Sequence, residues 1–117
     1  MKKVETIIES DILTAVKEAL MNIGIAGMTI SEVYAHGSQH GIGVVYRGQK
    51  YSVDLAPKVR FDVVVANERL DEAVGAIASA ADTGRIGDNR IFVYDVAETI
   101  RIRNGLRDTS AGQRNAA

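Results

Sequence analysis

The chain contains no cysteine. Disulfide staples and thiol chemistry are therefore excluded, and any transition-metal site must use histidine, carboxylate or amide ligands. A charge excess of either sign is also missing. Fourteen basic side chains against fifteen acidic ones leave a net charge of −1, without the basic surplus of an electrostatic nucleic-acid binder. The uncharged stretch 19–31 is too short to span a bilayer and is broken by Gly24 and Gly27. Lys2 and Lys3 resemble the start of a signal peptide, but Glu5 and Glu9 interrupt the apolar segment that would have to follow. The expectation is a soluble, cytoplasmic protein with no inserted segment. Its 117 residues, 46% hydrophobic and 25% charged, suit one globular domain with a modest core.

The order of elements reads β-α-β, a long loop, β-α-β and a tail. In Lys2–Ile8, Val4, Thr6 and Ile8 share one face of a short strand. Asp11 is placed to cap a helix whose stripe is Ile12, Leu13, Val16, Ala19, Leu20 and Ile23, closed by Gly24 and Gly27. Residues 28–34 are β-branched and strand-like. Val59, Phe61, Val63 and Val65 alternate with Arg60, Asp62 and Val64, the clearest half-buried strand. Asn67 is placed to cap a second helix, with Leu70, Ala73, Val74, Ile77, Ala78 and Ala81 as its stripe, and 90–96 forms the fourth strand. Two such units predict an α+β sandwich: one antiparallel sheet with both helices on one face. The helix-free face is then expected to meet other copies of the chain in a closed oligomer.

Segment 35–56 carries four glycines, two tyrosines and an arginine among few core-like positions. A loop of that length is usually functional or disordered. It reads as a recognition arm, with a hairpin extension of the sheet as the alternative. From Asn104 onward the composition turns polar, so 104–117 is expected to be a flexible tail behind a domain of 1–103.

Segment 83–103 concentrates anion-binding chemistry. Gly84 and Gly87 allow a turn whose amides form a concave nest. Arg90 follows, and Arg101 and Arg103 alternate with Ile100 and Ile102. On a continuing strand their guanidiniums share one face about 6–7 Å apart, suited to two oxygens of a polyphosphate. The alternative is a ladder of solvated charges on an edge strand. Beside the glycine turn, a small anionic ligand such as a nucleotide is the favoured reading.

These residues fall into a longer pattern: M-K-K-V-E-x-I-I, V-K-E-A-L, G-M-T-I-S-E-V, P-K-V, T-G-x-I-G-D, I-F-V-Y-D-V and I-R-I-R, in order over nearly the whole chain. The chain resembles the PII signal-transduction proteins, trimeric sensors of nitrogen and energy status. The resemblance implies a ferredoxin-like βαββαβ sandwich and a homotrimer, with a T-loop at about 37–55 between core strands 2 and 3. It also implies an adenine nucleotide (ATP or ADP, with AMP as a further candidate) in clefts between subunits. Thr29 and Val64 would contact the base over Ile7. Gly37 and Ser38 lie at the loop root. The amides of Gly87, Asp88 and Asn89 would take phosphate oxygens with Arg90, Arg101 and Arg103. Gln39 would help hold a magnesium ion bridging ATP and 2-oxoglutarate, and Lys58 would pair with a carboxylate of that acid. Arg47 matches the loop-tip contact to a partner, a membrane transporter or metabolic enzyme. Tyr51 matches a modified tyrosine, although Gln49 and Lys50 alter its surroundings.

Departures from the family pattern cluster around the ligand. Ser38 replaces an arginine that commonly reaches the terminal phosphate. Losing one charge-assisted contact, about 1.5–3 kcal/mol, weakens ATP roughly tenfold or more relative to ADP or AMP. Arg90 and Asp62 replace lysine and glutamate and look like a re-spaced ion pair. Asn89 replaces glycine, Ala35 and His36 replace a Gly-Phe pair, and Glu9, Ser10 and Asp11 replace a basic-Pro-Phe start to the first helix. His36 and His40, four apart in a loop, need not converge on a metal. Nitrogen regulation is the default reading. A sensor of energy and inorganic carbon, binding ADP or AMP with bicarbonate and linked to its uptake or to carboxysomes, is the alternative raised by Ser38. A dedicated enzyme is disfavoured: no Ser-His-Asp, paired-carboxylate or Walker-type constellation is present, which leaves at most slow ATP hydrolysis. A purely structural trimer of the cation-tolerance type would not need Arg101, Arg103 or the Gly87–Asp88 turn.

Overall fold

A computed structural model describes residues 1–36, 42–46, 49–53, 55–82 and 90–109, with the backbone alone for 42–46, 49–53 and 109. Four strands form the main sheet: β1 (Lys2–Ile8), β2 (Thr29–Ala35), β5 (Ala56–Val65) and β6 (Ile91–Asp95). Their order is β2-β5-β1-β6, every pairing antiparallel. Helices α1 (Leu13–Asn22) and α2 (Leu70–Ala81) cross over between strands. This is the ferredoxin-like α+β sandwich.

The strand alternation decides which face the helices cover. Val4, Thr6 and Ile8 of β1 and Val59, Phe61, Val63 and Val65 of β5 are all buried. They pack in one cluster with Val16 and Leu20 of α1 and Ala73, Ile77 and Ala81 of α2. Both helical stripes therefore meet the same sheet face, and each fully buried aliphatic side chain contributes about 1.5–3 kcal/mol. Lys3, Glu5, Ile7, Lys58, Arg60, Asp62 and Val64 alternate with these buried positions and belong to the opposite, helix-free face.

The helix starts differ from the expectation. Asp11 and Asn67 lie inside short 3-10 turns, Ser10–Ile12 and Asn67–Arg69, and no side chain caps either one. The tighter turns supply backbone bonds instead: Ile12 N–H donates to the Glu9 carbonyl at 3.0 Å, and Arg69 N–H to the Ala66 carbonyl at 2.9 Å. At the other end of α1, Gly24 does close the helix, with φ +83° and its N–H donating to the Met21 carbonyl at 2.9 Å.

The arm between β2 and β5 contains strands β3 (Ile42–Tyr46) and β4 (Gln49–Val53), paired antiparallel with Ile42 opposite Val53 and Tyr46 opposite Gln49. They form a two-stranded sheet of their own. A ribbon that joins no larger sheet needs no one-sided apolar alternation, which is why the segment lacks a core pattern.

Where a strand running on through Arg103 is expected, the chain instead forms a C-terminal hairpin of β7 (Glu98–Ile100) and β8 (Arg107–Thr109). The strand stops at Ile100, and the chain turns back through Gly105 at φ +70°. Gly105 N–H donates to the Arg101 carbonyl at 2.8 Å, Arg101 N–H to the Leu106 carbonyl at 2.9 Å, and Leu106 N–H to Asn104 Oδ1 at 3.0 Å. Arg101 and Arg103 thus sit on a turn, where strand spacing does not apply. The boundary expected between Arg103 and Asn104 falls inside this hairpin.

Candidate functional site

An open cleft of about 1090 Å³ lies at the β2 and β5 ends of the sheet. One wall is the α1–β2 link from Gly24 to Met28, and another is the turn carrying Glu68 and Arg69. The floor comes from Lys3, Thr29, Asp62 and Val64. Register explains the floor: Thr29 stands opposite Asp62, and Val64 opposite Lys3. The two residues expected to contact a base are therefore brought together.

The polar groups of this floor are tied to one another. Asp62 Oδ2 accepts from Arg60 Nε at 3.1 Å, and its Oδ1 lies 3.8 Å from Lys3 Nζ. Asp62 thus pairs with Arg60 and Lys3 rather than with Arg90. A residue two along a strand shares its face, so the shorter reach wins. Lys3 Nζ also lies 5.4 Å from the centre of the Tyr94 ring, a cation–π distance. Asp62 Oδ1 and Ser31 Oγ are buried without a hydrogen-bond partner among the described residues. On the cleft's outer wall, the Arg69 guanidinium donates to the Ile23 carbonyl and to Glu72, pinning α2 against the end of α1.

Ile7 lies on the same helix-free face but opposite Arg60, about 13 Å along β5 from Val64 at strand rise. It does not line this cleft. Arg90 immediately precedes β6, whose first pair is Ile91 with Thr6, so Arg90 stands at the Ile7 end of β1. Its carbonyl accepts the Thr6 hydroxyl at 3.1 Å. Arg101 and Arg103 are exposed on the β7–β8 turn and do not line the cleft.

Lys58 stands opposite Val33 on β5, its side chain 16% exposed, and forms an ion pair with Glu9 at 3.4 Å. Tyr51 lies in β4 opposite Val44. Gly37, Ser38, Gln39, Arg47, Gly87, Asp88 and Asn89 lie outside the described residues. Among the described residues no group of three or more acidic or histidine side chains could hold a metal ion, and no helix is long and apolar enough to cross a membrane.

Sequence reasoning missed the Gly24–Met28 wall, although Gly24 and Gly27 marked a link that has no side chain at those two positions. It also missed the Glu9–Lys58 pair, which joins residues 49 positions apart.

A ferredoxin-like sandwich with a cleft at its sheet edge and an arm between the neighbouring strands β2 and β5 defines the class of this protein. Residues 1–106 match the sequence model of the nitrogen regulatory protein P-II family. The chain is 48% identical over 111 residues to the nitrogen regulatory protein P-II of Pasteurella multocida and to that of Klebsiella oxytoca, covering 95% of this chain and 99% of each relative. The same figures hold for nitrogen regulatory protein P-II 1 of Escherichia coli strain K12. The chain belongs to the P-II family of signal-transduction regulators.

Proposed function

We propose that the protein is a homotrimeric, cytoplasmic regulator that binds an adenine nucleotide between subunits and acts on a partner protein through the arm between β2 and β5. The observation that carries this reading is the separation of two half-sites. Thr29 and Val64 floor an open cleft, whereas Arg101 and Arg103 project from the separate β7–β8 hairpin. One nucleotide touching both a base pocket and these arginines is best accommodated where the cleft of one copy meets the hairpin of the next. Asp62 Oδ1 and Ser31 Oγ, buried with no hydrogen-bond partner among the described residues, lie on the face those copies would cover, where a neighbouring copy offers further donors.

In this reading Ile7 and Arg90 extend the floor, and Gly87, Asp88 and Asn89 offer amides to the phosphates. Gly37 and Ser38 border the site, Gln39 helps hold magnesium with ATP, and Lys58 meets a second small acid. Arg47 and Tyr51 belong to the arm that touches a transporter or metabolic enzyme. The relatives are nitrogen regulatory proteins, and nitrogen control is the physiology proposed here. The protein acts by binding rather than by catalysis. A second reading, energy and inorganic-carbon sensing with ADP or AMP and bicarbonate, is favoured by the uncharged Ser38.

Calorimetric titration with ATP, ADP and AMP, with magnesium and with or without 2-oxoglutarate or bicarbonate, tests both. Tight ATP binding coupled to 2-oxoglutarate supports nitrogen sensing. Preference for ADP or AMP coupled to bicarbonate supports the carbon-linked reading, and absence of nucleotide binding sinks both.

A further inference from the structure

Glu9 follows directly on β1 and takes an extended conformation, φ −73° and ψ 149°, before the first 3-10 turn. Its backbone is held there because its carbonyl accepts the Ile12 N–H at 3.0 Å. The pairing of Ile8 with Val59 brings Glu9 level with Lys58, and the two side chains meet at 3.4 Å. Their exposures differ, 16% for Lys58 against 38% for Glu9. An ammonium this far from water needs a counter-charge, and here the chain itself supplies one. The carboxylate is the more exposed partner, so it can swing into solvent while the lysine stays in place.

We propose that Glu9 is a built-in competitor for a free small acid: its carboxylate occupies Lys58 and must swing away before an external carboxylate can take that position. This rests on the reading of Lys58 as the contact for a second effector. The ammonium has donors to spare, but two carboxylates side by side on one cation repel each other, so the two occupants exclude each other. The consequence is a raised threshold. The protein responds only to acid concentrations high enough to displace its own glutamate, whereas a chain lacking this carboxylate responds to less.

The test uses the full chain, wild type, Glu9→Gln and Glu9→Gln/Lys58→Gln, each titrated first with ATP and magnesium alone. 2-Oxoglutarate and bicarbonate are then titrated separately into the loaded proteins. Glu9→Gln should leave ATP affinity unchanged and tighten binding of the acid roughly three- to fivefold, and the second substitution should abolish that gain. Unchanged acid affinity in Glu9→Gln beside normal ATP binding overturns the competitor and leaves the nucleotide reading standing. Failure of every protein to bind ATP counts against the nucleotide reading instead. In that case, acylation of Lys58 in nucleotide-free protein, mapped by mass spectrometry, decides the inference. Several-fold faster labelling in Glu9→Gln supports shielding by Glu9, and equal rates overturn it.

Discussion

The Thr6 hydroxyl, in a residue 2% exposed, donates to the Arg90 carbonyl oxygen at 3.1 Å. Through this bond the buried face of β1 fixes the point where the chain enters β6. Thr6→Val keeps the shape and removes the donor. It should lower unfolding free energy by about 0.5–1.5 kcal/mol, read as a lower urea midpoint, and weaken nucleotide binding by displacing Arg90. A variant as stable as wild type would show that this bond contributes nothing.

Gly105 holds φ +70° in the turn that carries Arg101 and Arg103. An L-residue is strained there by about 1–2 kcal/mol. Gly105→Ala should therefore loosen the hairpin without disturbing the helix-covered core, and nucleotide affinity should fall several-fold while far-ultraviolet circular dichroism stays native. Arg101→Ala should cost roughly tenfold or more in affinity. Wild-type affinity in both variants would remove the hairpin from the binding site.

The Lys2 ammonium pairs with Asp95 across β1 and β6, and hydrogen bonding and charge from Lys2 hold that carboxyl below its ordinary 3.8. A depressed folded-state value stabilises the protein above the ordinary value and loses that stabilisation as pH falls through the folded one. Lys2→Met should accordingly lower stability slightly near neutrality, and the gap from wild type should close as pH drops below 3.8. The pair is exposed, so the gap is small and shrinks in salt. A gap that widens toward low pH would contradict this sign. Denaturant melts across the pH range give the answer.

Phe92 and Tyr94 are 43% and 46% exposed on β6, and Phe92 pairs with Glu5 on the helix-free side. If copies close over that face, sedimentation should give three times the 12.6 kDa chain mass, and Phe92→Asp should shift it toward monomer. A monomeric wild type would contradict the trimer and the shared nucleotide site proposed above.

The alternation at Val59, Phe61, Val63 and Val65 and the helical stripe at Leu70, Ala73 and Ile77 were enough to place a strand, a helix and the face they share. Such periodicity is local: it follows from rise and turn per residue, and the side chains that carry it are adjacent in the chain. The same reasoning did not single out Thr29 and Val64; the family resemblance did, and strand register sets both on one cleft floor. Periodicity failed at Asp11 and Asn67, where backbone bonds of a 3-10 turn replaced side-chain caps, and at Arg101 and Arg103, where a glycine two residues further on reversed the chain.

What residue order alone determined is the succession of strands and helices, the inward faces of β1, β5, α1 and α2, and the family pattern that runs through them. Only the tertiary structure decided that Asp62 pairs with Arg60 and Lys3, that Glu9 lies against Lys58, and that the Gly24–Met28 link walls a cleft over Thr29. Those relationships depend on strand register and on where separate elements end. Both are set by the packing of the whole core rather than by any stretch of neighbouring residues.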